Sequence, residues 1–149
     1  MADLKVSISE DLTLNGVQQG GFKTLTITGI NEVIKRQVQC EHSNNTALVK
    51  FDSAETDAAN AIDVEETRYI RISNLDSTNA VAIACVGVSD SFTVILKAGE
   101  SFILGTPDDF MRGEADTSPG FGSYEDLDTI LARPTTSNHI RVAVFVATV

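Results

Sequence analysis

Nucleophilic catalysis needs a base within reach of a serine or cysteine and a third group to orient that base. The two histidines of this chain are His42 and His139, and neither stands in a recognisable motif. Cys40-Glu41-His42 sets a thiol beside an imidazole in sequence. Neighbouring side chains along a strand point to opposite faces, however, so the pair reads as a strand-end coincidence. Ser118-Pro119-Gly120-Phe121-Gly122-Ser123 is not the GxSxG elbow of a hydrolase, and the chain has no GxGxxG or P-loop. Asp52, Glu55 and Asp57 lack the glycine and terminal glutamate of an EF-hand loop. Asn44-Asn45-Thr46 matches the glycosylation sequon but has no secretory context. No residue is therefore assigned as catalytic, cofactor-binding or metal-binding, no cofactor is expected, and the chain reads as a non-enzyme.

Composition narrows the remaining classes. A chain of 149 residues fits a single domain, residues 1–149, long enough to bury a substantial core. The 21 acidic against 11 basic residues leave a net charge of −10, which repels phosphate backbones, so nucleic acid is not an expected partner. No apolar run approaches the roughly 20 residues that span a bilayer, and no membrane partner is expected. The opening MADLKVSISEDL lacks the basic end and apolar core of a secretory signal, and none is expected. Cys40 and Cys85 lack CxxC spacing and read as small buried hydrophobes rather than a disulfide. Tryptophan is absent and aromatics make up 6% of the chain, which weakens a sugar-stacking site.

The elements that would position any site are short strands. Between Thr67 and Pro107 four follow one another: Thr67–Leu75, Ala80–Val88, Phe92–Lys97 and Ser101–Gly105. Their connectors are rich in turn-forming residues. Ile70, Ile72, Phe92, Val94, Leu96, Phe102 and Leu104 form apolar rows, here expected on one side of a meander. Upstream, Leu4, Val6 and Ile8 alternate with polar residues and continue past Glu10-Asp11 to Leu12 and Leu14. Asn15-Gly16 and Gly20-Gly21 bracket a loop, and Thr24–Thr28 alternates strictly. Val33–Glu41 places Ile34, Val38 and Cys40 on one face together with Arg36. A short strand follows at Ala47–Phe51, then a polar connector, Asp52–Asn60, with room for a helical turn. Eight or so such strands predict an all-β antiparallel β-sandwich in jelly-roll or related Greek-key order, with a closed barrel as the alternative.

Two stretches depart from that pattern. Residues 106–137 form a long acidic excursion, expected as an ordered flap. A capping box at Ser123 and Asp126 there predicts a short helix over Tyr124–Ala132. Its aromatics Phe110, Phe121 and Tyr124 are candidate anchors for contacts outside the subunit. The last strand, His139–Val149, is apolar on both faces. Ile140, Val142, Val144 and Val146 serve a core, while Ala143, Phe145, Ala147 and Val149 form a second row that needs a cover. That cover is expected from another copy of the chain in a homo-oligomer, with the flap as the intramolecular alternative.

The run YIRISNLDSTNAVAIACVGVSDSFTVILKAGESFILG resembles a stretch common in small β-sandwich virion proteins of tailed bacteriophages, including capsid decoration and tail-associated proteins. The run covers about a quarter of the chain, and the matching residues within it are Tyr69–Asn74, Thr78–Ala84, Phe92–Lys97 and Ala98-Gly99-Glu100-Ser101. Where the family often has proline in the last turn, this chain has Ala98. The resemblance implies a structural subunit of the virion, present in many copies, whose partners are copies of itself and other virion proteins. It transfers no functional residue. The alternatives from other classes are a carbohydrate-binding module and, more distantly, a small double-sheet hydrolase, since fold alone does not decide function.

Overall fold

The computed structural model describes residues 1–52, 61–112 and 122–149, and every regular element among them is a strand. Two sheets pack against each other to form the body. The five-stranded sheet runs β10 (Ser91–Leu96), β9 (Val81–Gly87), β12 (Leu127–Pro134), β6 (Thr46–Asp52), β7 (Ile62–Asp63). The four-stranded sheet runs β11 (Ser101–Leu104), β8 (Thr67–Asn74), β13 (Ile140–Thr148), β5 (Glu32–Cys40). Before them comes a long hairpin of β1 (Ala2–Ser9) and β4 (Phe22–Ile30), with β2 (Thr13–Leu14) and β3 (Val17–Gln18) paired at its tip. All these pairings are antiparallel except β6 with β7, which run parallel.

Alternation explains the core. On β9, Val81, Ile83 and Cys85 are buried while the intervening residues are half-covered, and on β13 Val142, Val144 and Val146 do the same from the opposite sheet. Ile70, Ile72, Leu48 and Ile130 complete the centre of one cluster that draws on both sheets. Arg36 shares the inward face of β5 with Ile34 and Val38. It is accommodated because its guanidinium donates across the body to the Leu48 carbonyl.

The four strands from β8 to β11 are not a meander. β9 and β10 form a hairpin in one sheet, while β8 and β11 pair with each other in the other sheet. The apolar rows of all four still face one core, because alternation decides which face is buried but says nothing about which sheet a strand joins. The crossing from β8 to β9 is fixed by Asn74, whose side chain is buried. Its Nδ2 donates to the carbonyls of Asn79, Leu96 and Lys97 at 2.8–3.1 Å, and its Oδ1 accepts the Asp76 N–H at 3.0 Å. Asp76 in turn accepts the N–H groups of Thr78 and Asn79. The Asn79 N–H first and then that of Thr78 hold its carboxyl below the usual range.

The expected helix over Tyr124–Ala132 is instead the start of β12, the central strand of the five-stranded sheet. Leu127, Ile130 and Ala132 are buried between β6 and β9, with a register shift between Leu127 and Thr129 that disguises the alternation in sequence. Pairing on both sides outweighs a local capping signal. The possible helical turn at 53–60, with Glu55 and Asp57, lies outside the described residues. So do residues 113–121 of the excursion.

Candidate functional site

The second apolar row of β13 faces away from the main core and meets the N-terminal hairpin. Ala147 is completely buried there with Tyr69 and Ile30, and Leu4, Val6, Ile27, Phe145 and Val149 pack around them. The hairpin, rather than the 106–137 excursion, therefore covers this end of the row. Its own alternation makes this possible: Leu4 pairs with Ile27 and Val6 with Leu25, so one face of the ribbon is aliphatic. Ala147 cannot touch another copy while the hairpin is seated. Ala143, Phe145 and Val149 remain half-buried at the margin.

Phe145 sits in a cross-strand row with Lys35 on β5, Arg71 on β8 and, beyond Arg71, Ile103 on β11. The Lys35 ammonium lies 5.5 Å and the Arg71 guanidinium 5.6 Å from the centre of its ring, and Tyr69 meets the ring edge-on at 5.9 Å. Neither cation has a carboxylate partner among the described residues. A groove of about 350 Å³ runs between strand β1 and this row, floored by Tyr69, Arg71 and Phe145 and walled by Ile8 and Ile103. Among the described residues β1 pairs with β4 alone, and its other edge carries no strand.

Beyond the covered part the hairpin projects with its apolar residues bare. Leu12, Leu14, Val17, Phe22 and Leu25 are all more than half exposed, Phe22 reaching 72%. The tip turns through Asn15 and Gly16, both at positive φ, which is the backbone a two-residue hairpin turn demands. The stretch Val17–Gln18, expected as loop, is the returning strand of this turn.

The other chemically capable residues fall elsewhere. His42 and His139, far apart in sequence, come together as an exposed tilted pair with centroids 5.4 Å apart, and His42 Nδ1 lies 2.9 Å from Ser43 Oγ. No carboxylate among the described residues is hydrogen-bonded to either ring. Cys40 and Cys85 are buried free thiols, as the sequence suggested, and burial raises both pKa values, that of Cys85 to about 11. Asp108, Asp109 and Asp126 bring carboxylates within 4.8 Å of one another, a juxtaposition no linear spacing announced. The hydrogen bond to Asp126 raises the Asp108 pKa. Such a set has the oxygen chemistry of a hard-cation site, although exposed carboxylates gather on acidic proteins without one.

Of the three aromatic anchors expected in the excursion, Phe110 stacks on Phe92 at 6.1 Å, against the chain's own core. Tyr124 is exposed, and Phe121 lies outside the described residues. The described ends of the excursion are tied down. Met111 and Glu125 bridge through their backbones, and the Glu125 carboxylate accepts the N–H groups of Ser89 and Asp90 at 3.0–3.3 Å. Gly87 makes room for it, since a Cβ there would stand 2.4 Å from the Glu125 oxygen.

No protein-family model matches the chain, and no curated protein matches it significantly. The row Lys35–Phe145–Arg71 was invisible in sequence because its three members come from different strands. The one available signal was a strand apolar on both faces, and it pointed at Phe145.

Proposed function

We propose that this chain is a non-enzymatic structural subunit of a tailed-phage virion, located on the capsid or tail, which works through contacts with copies of itself and with other virion proteins. The observation that carries the reading is the projecting hairpin. Two-stranded ribbons are marginal in water, and this one extends bare Leu12, Leu14, Val17 and Phe22 past the body that supports its base. An arm of that kind gains its stability from a neighbour. The family resemblance of Tyr69–Ser101 supplies the setting, and the net charge of −10 favours protein partners over nucleic acid.

The strand order supports a jelly roll for the finer architecture. Leaving aside β7, the eight body strands pair first with last and so inwards: β5 with β13, β6 with β12, β8 with β11, β9 with β10. That is an antiparallel ribbon wrapped into a two-sheet sandwich. A carbohydrate-binding module remains the alternative, but the candidate groove offers no open aromatic platform, since Lys35 and Arg71 already lie over the Phe145 ring.

The test is recovery on particles. The intact chain should co-sediment with phage capsids or tails, and Phe22→Asp combined with Leu14→Asp should abolish this while leaving the circular dichroism and melting temperature of the free protein unchanged. Binding to glycans with no attachment to particles would overturn the reading.

A further inference from the structure

The outward face of the four-stranded sheet is unlike the rest of the molecule in charge. Its outward positions on β5, β8, β11 and β13 include Lys35, Arg71 and Arg141 and not one carboxylate, in a chain where acidic residues outnumber basic ones almost two to one. At one end of the body the opposite holds. Asp108, Asp109 and Asp126 crowd together where the β11–β12 connection meets the start of β12, and the negative charges of Asp126, Asp109 and Glu65 all act on Asp108. Among the described residues no ion pair joins either region to an opposite charge. The three carboxylates within 4.8 Å of one another repel when ionised, and the Lys35 ammonium and Arg71 guanidinium face the Phe145 ring rather than an acidic group.

We propose that the Phe145-centred face docks the acidic end of a second copy of this chain, with Asp108 and Asp109 reaching Lys35 and Arg71. This rests on the assembly reading above and specifies its contact. Like surfaces cannot meet here, because a two-fold axis through Phe145 would set Lys35 and Arg71 against themselves. The contact therefore joins unlike surfaces, head to tail, and closes as a ring or continues as a filament. The half-covered Phe145 and the exposed Ile103 supply apolar area at its centre, while the charges select the partner and its orientation.

Sedimentation velocity of the full chain tests this. The wild type should self-associate at low ionic strength and dissociate towards 1 M salt, where charges are screened within about 3 Å. K35E/R71E should weaken association at least roughly tenfold, and so should D108K/D109N, in which asparagine suits the positive φ at position 109. K35Q/R71Q serves as the milder variant should the reversal disturb folding, which circular dichroism reports. Each variant keeps one native surface, and the two altered surfaces are again opposite in charge, so mixing K35E/R71E with D108K/D109N should restore association above that of either variant alone. A wild type that stays monomeric at low salt, association untouched by either variant, or a mixture that does not pair would each overturn the proposal. If K35E/R71E self-associates normally while the wild type still attaches to particles, this contact is wrong and the structural role stands. If the contact behaves as described but no particle binds the chain, the contact stands and the virion role falls.

Discussion

The two faces of β13 show what a two-layer body can close by itself and what it cannot. Inward, Val142, Val144 and Val146 enter a core supplied by both sheets, and each is shielded almost completely. Outward, the same strand offers Ala143, Phe145, Ala147 and Val149 to a single hairpin, which seals Ala147 and leaves the others half covered. A sheet facing a sheet buries the inward apolar positions of its central strands. A ribbon of two strands laid on a sheet is narrower than its support, so it leaves margins and an open edge. Those margins are where Lys35, Arg71 and the groove are found.

The comparison breaks first if the inner core is not the stability determinant. Ile72→Ala, at a fully buried position between the sheets, should cost about 3 kcal/mol through lost transfer energy and the cavity left behind, read as a shift in urea midpoint at unchanged slope. Asn74→Ala should cost about 2 kcal/mol, because the carbonyls of Asn79, Leu96 and Lys97 lose their shared donor. If the cost is within experimental error, water has replaced the amide and the β8–β9 crossing is held by something else.

The outer core should respond more weakly and more locally. Phe145→Ala should cost about 1 kcal/mol, with hydrogen exchange accelerated in β1 and β4 and unchanged in β9 and β12. Equal acceleration in all four strands would mean that the two cores open as one unit. Replacing residues 10–21 by an Asn-Gly turn between Ser9 and Phe22, which already pair, should change stability by less than about 0.5 kcal/mol, since all the removed residues except Gly20 are exposed.

At neutral pH the Cys85 thiol should be silent, unlabelled by a thiol reagent until the protein unfolds. Its folded pKa, about 11, exceeds the ordinary value of 9.0, so the neutral thiol favours the folded state fully below pH 9. That contribution should fade as pH rises through about 11, and Cys85→Ala should remove this part of the alkaline fall in stability.

Much of the body was legible in the chain, and the exceptions have identifiable causes. The apolar rows of β8, β10, β11 and β13 were readable because strand alternation is a local property. The helix expected over Tyr124–Ala132 was misread because a register shift at the start of β12 hides its period of two, leaving a capping pattern as the most visible feature. Phe110 was read as an outward anchor from its acidic neighbours, yet stacking on Phe92 turns it inward. The second face of β13 was recognised as needing a cover. That the cover starts with the chain's own hairpin could not be read, since Leu4 and Ala147 lie at opposite ends of the sequence.

By itself, then, the sequence determined the apolar rows along β8, β10, β11 and β13, the turn chemistry at Asn15-Gly16 and Asp76, the all-β class and the absence of any motif for catalysis. These follow from side-chain chemistry and backbone preference within a few residues. Only the tertiary structure decided which strands share a sheet, that β12 is central, that His42 meets His139, and that Lys35, Phe145 and Arg71 form one row. Those arrangements depend on hydrogen bonds and packing between segments tens of residues apart, and the period-two pattern of a strand is the same whichever neighbour it takes.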